Sequence, residues 1–144
     1  MDKNNVIDLL QKAKKAHIQW VIRAQALTEG LSVQKESIPV DCTECAFGLW
    51  LYSDGQEITA MPGMDVMKEI EAKHFDLHSV YSKIFSIYFP DSKKGFFAKL
   101  FSSKPKISAE QQERAKAEFL VLKNISDELT AMLLRLERRL TAIR

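Results

Sequence analysis

Three long stretches of this chain place apolar side chains at steps of three and four, the spacing that collects them on one face of a helix. The first runs from about Asn5 to Thr28. Its stripe is Val6, Leu9, Leu10, Ala13, His17, Trp20, Ala24 and Leu27, and Gly30 is placed to stop it. The second runs from about Asp65 to Tyr88 and carries Met67, Ile70, His74, Leu77, Tyr81, Ile84 and Tyr88, with Pro90 closing it. The third follows a capping-box pair, Ser108 and Gln111, and extends from about Ala109 to Ile143. Phe119, Leu122, Ile125, Leu129, Met132, Leu136, Leu140 and Ile143 line it in a near-heptad pattern that needs a partner surface. Only 5 glycines and 4 prolines interrupt 144 residues, which also favours helices.

A shorter helix is expected to open at Asp41, with Glu44 three positions on as its capping-box partner. It carries Cys45, Gly48, Leu49 and Trp50 and ends before Gly55, ahead of a turn through Met61, Pro62 and Gly63. Residues 31–40 read as a connection. The expected fold is therefore all-α: an antiparallel four-helix bundle with a short extra helical segment carrying Cys45. One domain over residues 1–144 accommodates it, without internal repeats, and residues 91–107 form a basic inter-helix insertion with an aromatic core.

Composition narrows the function classes. Charged residues make up 28% and apolar ones 46%, an ordinary globular balance. A net charge of +2 is too small for binding nucleic acid by the whole chain. No run approaches the ~18 consecutive apolar residues of a membrane span, and the polar, amphipathic start is unlike a secretory signal. A cytoplasmic location is expected, in which Cys42 and Cys45 are thiols or metal ligands rather than a structural disulfide.

Chemistry concentrates on the 3 histidines. His17 and His74 occupy stripe positions where a core hydrophobe would otherwise sit, and a buried imidazole needs partners for its ring nitrogens. His78 lies four residues after His74, so both rings project from one helix face. Cys45, in the first turn of its short helix, is where the helix dipole favours a thiolate. Three neutral imidazoles and one thiolate make a tetrahedral set suited to zinc. Taken alone, the same residues also fit satisfied core histidines. Trp20 and Trp50 read as core packing that shields the site. Gly48 would let the short helix approach a neighbour closely, and Asp76 points away from the histidine face.

His17 with Trp20 three positions on, CAFGLWL beginning at Cys45, and HFDLH from His74 occur in an order and spacing that resemble the chemoreceptor zinc-binding domain family. The resemblance covers about residues 10–85 by motif, and C-x-F-G-x-W is its most specific part. It implies that His17, Cys45, His74 and His78 ligate zinc within a four-helix bundle. It also implies a regulatory or sensor role in bacterial signalling, without enzymatic activity. In that family the domain is commonly attached to chemotaxis receptors or diguanylate cyclases. No receptor signalling hairpin or cyclase motif occurs in these residues, so a stand-alone or excised form working with a separate signalling partner is expected.

Rival readings remain at this point. A metalloprotease would need H-E-x-x-H, but Phe75 stands at the position of the catalytic glutamate. A di-iron bundle would need carboxylates beside paired histidines. Cys42 and Cys45 form C-x-x-C, so Cys42, Cys45, His74 and His78 could make a two-thiolate site, or the two thiols could form a redox switch with Cys42 resolving an oxidised Cys45. A purely structural zinc staple is a further alternative. The long last helix suggests a homodimer through it or the first helix. The lysine-flanked GFFAKLF within residues 93–106 suggests a weak membrane or partner contact.

Overall fold

The computed structural model describes residues 2–31, 38–90 and 107–143. Among these, five helices and no strand occur: α1 (Lys3–Thr28), α2 (Ala46–Leu51), α3 (Gly55–Thr59), α4 (Val66–Tyr88) and α5 (Ala109–Ala142). The all-helical expectation holds. Among the described residues the long helices are three, and the short α2 and α3 pack against each other, α2 also against α1 and α3 against α4. The insertion assigned to residues 91–107, with its GFFAKLF segment, lies outside the described residues apart from Ile107.

The long helices end where their local chemistry says they should. Asp2 caps α1 by accepting the Asn4 N–H at 3.0 Å. At its other end Gly30 takes φ +77, and the Leu31 and Gly30 amides return to the Ala26 and Leu27 carbonyls, each at 3.0 Å. That pair of bonds is a Schellman stop, which needs a left-handed residue. The Ser108–Gln111 capping box at the start of α5 forms in both directions, at 3.1 and 2.9 Å.

α5 is the spine. Lys3 Nζ donates to the Ile143 carbonyl at 2.6 Å and Lys14 pairs with Glu137 at 3.0 Å, so α1 runs antiparallel to α5. Tyr88 donates to Gln112 at 3.0 Å, and Lys73 pairs with Glu128 at 2.5 Å, so α4 does the same. α1 and α4 are therefore parallel. Leu10, Ala24 and Leu27 of α1, Ile70, Leu77, Tyr81 and Ile84 of α4, and Leu122, Leu129, Leu133, Leu136 and Leu140 of α5 form the buried core. Burial of that apolar surface is the main stabilising contribution. Leu133 was not on the stripe read from sequence, and Phe119 and Met132, which were, are only partly buried.

Two local boundaries differ from expectation. The Asp41 carboxylate accepts from both the N–H and the hydroxyl of Thr43 at 3.0 Å, closing a local turn instead of capping a helix. The helix therefore starts at Ala46, and Cys45 is its N-cap rather than a first-turn residue. After α2, the chain makes the additional short helix α3, anchored by the fully buried Ile58.

Among the described residues, its own chain neighbours aside, no atom lies within 4 Å of a Cβ built on Gly30, so backbone strain is what opposes a side chain there. Gly30→Ala should cost about 1–2 kcal/mol. The measurement is the urea midpoint, which should fall at constant m-value. An unchanged midpoint would contradict the left-handed stop.

Candidate metal centre

His17 comes from α1, His74 and His78 from α4, and Cys45 from the N-cap of α2. The histidines are 4%, 1% and 4% exposed, and Cys45 is half-buried. One potential ligand atom from each of the four lies within 4.8 Å of all the others. His74 Nε2 stands 3.2 Å from Cys45 Sγ and 3.1 Å from His78 Nε2. Cys42 does not join this group. Its thiol is buried outside the cluster, and His17 is the fourth donor instead. The two-thiolate arrangement is therefore not assembled. Asp76 is exposed, away from the histidine face.

Backbone carbonyls orient two of the rings. His17 Nδ1 lies 2.7 Å from the Ala13 carbonyl, and His78 Nδ1 lies 2.9 Å from the Val40 carbonyl. A carbonyl only accepts, so each Nδ1 carries the proton and each Nε2 keeps its lone pair. This is the outer support a metal-ligating histidine ordinarily has. His74 is the exception: among the described residues its buried Nδ1 has no hydrogen-bond partner, and its ring meets Phe47 edge-on at 5.0 Å. Lone pairs converging this closely in an apolar surrounding repel one another. A single proton on His74 Nε2 can serve only one neighbour, whereas a cation serves them all. The donor set thus fits a tetrahedral metal of borderline softness. The carbonyl partners were not legible in the sequence, because Val40 reaches His78 only through the fold.

Burial sets the protonation states. It lowers the His17 pKa to about 4, helped by nearby His78 and opposed by the Ala13 carbonyl. Burial, then His17 and His78, lowers that of His74 to about 3. His78 is also pushed down by burial, with Val40 and Asp41 opposing. All three rings are accordingly neutral at physiological pH, the form a metal requires. Burial raises the Cys45 thiol, while the Gly48 and Phe47 amides pull it back. A metal taken up here must displace the Cys45 proton.

Aromatic side chains wall the cluster. Trp20 packs on His78 at 5.0 Å between centroids, and Phe47 packs on His17 at 5.8 Å. Trp50 reaches the cluster only indirectly, through Phe47 at 5.6 Å. Gly48 is required by a close approach: a Cβ there would stand 1.8 Å from the Cys42 carbonyl oxygen. The chain before α2 thus folds back against its first turn, and Cys45 Sγ accepts the Gly48 N–H at 3.3 Å within that turn.

Two outcomes follow from this geometry. In the metal-free protein, His17 and His74 bind protons in the unfolded chain near pH 6.5 but in the fold only near 4 and 3. The unfolded state holds more protons between those limits, so stability is present above about pH 6.5 and is lost as pH falls toward 4. Denaturant midpoints between pH 7.5 and 4.5 should show this, and the slope should flatten in His17→Phe. Gly48→Ala must displace the Cys42 carbonyl or the first turn of α2. Its melting temperature and its metal content should both fall, and retention of both would contradict the close approach.

A model of the chemoreceptor zinc-binding domain family matches residues 17–85. Those bounds take in all four clustered residues and the C-x-F-G-x-W segment. Comparison with curated proteins and with solved structures returned no match. Over residues 17–85, this chain is thus similar to the chemoreceptor zinc-binding domain family.

Proposed function

We propose that this chain is a zinc-dependent regulatory module of bacterial signalling, not an enzyme, in which His17, Cys45, His74 and His78 hold one zinc ion. The observation that carries the reading is the convergence of three neutral imidazoles and one thiol, from three separate helical elements, within 4.8 Å. Zinc bound by four protein ligands has no open position for a reacting water, which suits a tie between helices rather than catalysis. His17 tethers α1, Cys45 the start of α2, and the two α4 histidines complete the set. Loss of the metal would release α2, together with the turn that His78 holds through Val40.

An output in chemotaxis or cyclic-diguanylate signalling belongs to this proposal and is supported by the family similarity. A cytoplasmic location is consistent with the finding that no described helix is long and apolar enough to cross a membrane. A homodimer through α1 or α5 is supported by Ile18 and Ile22 on α1 and by Leu120 and Val121 on α5, all of which are exposed. Light scattering at high micromolar concentration should give twice the chain mass, and a monomer would remove the dimer.

Purified protein should carry about one zinc per chain, since four ligands complete one tetrahedral site. Cys45→Ala and His78→Ala should lose most of it, whereas Cys42→Ala should keep it. Full occupancy in Cys45→Ala would overturn the ligand assignment. Because the unfolded chain has no preformed site, zinc binding adds to folding stability. A strong chelator should therefore lower the melting temperature clearly, and equal melting with and without zinc would show that the metal is peripheral.

A further inference from the structure

Three of the four clustered residues are sealed in, and Cys45 alone is half-buried. What lies outside it is a groove of about 420 Å³ between α1 and α2. Cys45, His17 and Phe47 stand at its inner end, and Leu9, Ala13 and Ala16 form its α1 wall. Asp8 and Lys12, paired with each other at 2.9 Å, stand on its outer rim. The wall is low because alanines face α2 at positions 13 and 16 of α1 and at position 46 opposite. The volume accommodates a molecule of several non-hydrogen atoms. The interior is largely apolar, and the rim charges already neutralise each other, so nothing repays a charged molecule for leaving water.

We propose that this groove is the port of the site, through which small uncharged molecules reach Cys45, and that Ala16 sets its width. Its regulatory meaning rests on the zinc reading above: agents that act on the metal centre meet the thiol ligand first, from the α1–α2 side. His74 and His78, buried and behind the Phe47 and Trp20 rings, do not line the groove, and of the histidines His17 alone does. The port has two consequences. Filling it from Ala16 slows access without touching a clustered residue, and uncharged reagents outpace charged ones of similar size.

The test uses the full chain, reduced and metal-free, so it does not depend on zinc binding. Iodoacetamide alkylates a cysteine when the thiolate attacks its methylene carbon and iodide leaves. Peptide mass analysis separates Cys45 from the buried Cys42. Ala16→Phe should slow alkylation of Cys45 about tenfold, which is about 1.4 kcal/mol of added barrier, and Ala16→Leu should slow it by less. Lys15→Phe, on an exposed position beside the groove but not lining it, should leave the rate unchanged. The rate ratio of neutral iodoacetamide to anionic iodoacetate should exceed that of free cysteine. Circular dichroism confirms that each variant is folded, and Ala16→Leu, a substitution that a helix accepts well, carries the test if the phenylalanine is not tolerated. Equal rates in wild type and the Ala16 variants would overturn the port, because Cys45 would then be reached by another route or by opening of the fold. Equal slowing in Lys15→Phe would also overturn it. Zinc content of the wild type, measured separately, reports on the metal reading alone.

Discussion

Three imidazoles and a thiol are packed against one another inside a helical core. Each is polar, the three rings have lost their water, and two of them keep lone pairs aimed at the same small volume. Burial of such groups is costly unless something binds them together. The surrounding structure is arranged around that requirement. The Ala13 and Val40 carbonyls hold the outer nitrogens of His17 and His78, and burial keeps the rings neutral. The Phe47 and Trp20 rings pack against the cluster and help exclude solvent. A hydrophobic core of the same volume would have been simpler to stabilise. Retaining this cluster therefore has the character of a functional constraint.

The cluster depends on two different kinds of support. α1 and α4 are long, and both are docked antiparallel on α5, so His17, His74 and His78 are carried by rigid elements with continuous apolar stripes. Cys45 is carried by a six-residue helix that could not persist alone. Its position is held by the Asp41 turn before it, by contact of the Cys42 carbonyl with Gly48, and by Phe47 packed edge-on against both the His17 and His74 rings. The thiol ligand thus sits on the least self-sufficient element and is the most exposed member of the set. Local opening in proteins is drawn from weakly packed elements of this sort. Loss of the thiol–metal bond would consequently be felt in α2 and in the turn before it, ahead of the long-helix body.

Much of this was legible residue by residue. The stripes of α1, α4 and α5 were readable from spacing because a helix repeats every 3.6 residues whatever its neighbours. His17 and His74 stood out as polar residues on apolar stripes, and His78 as the i+4 partner of His74. The Ser108–Gln111 box and the Gly30 stop were readable because capping is local chemistry. The Asp41–Glu44 pair carried the same signal, but here a competing local bond to Thr43 took the carboxylate and moved the helix start to Ala46. A pattern that permits two local structures does not choose between them. α3 gave no periodic signal because five residues are too few to show one.

The order of motifs, the candidate donors and the helical class were thus determined by the amino-acid sequence itself, since each rests on spacing along one element or on a bond within a few residues. Which donors meet was decided by tertiary structure. His17 rather than Cys42 joins Cys45, His74 and His78, because the packing of α1 beside α4 brings His17 to the two α4 histidines. The carbonyl of Val40 behind His78, the orphaned Nδ1 of His74 and the groove that ends at Cys45 likewise belong to the fold. Each is a relation between atoms far apart in the chain, and no local rule of spacing or propensity specifies it.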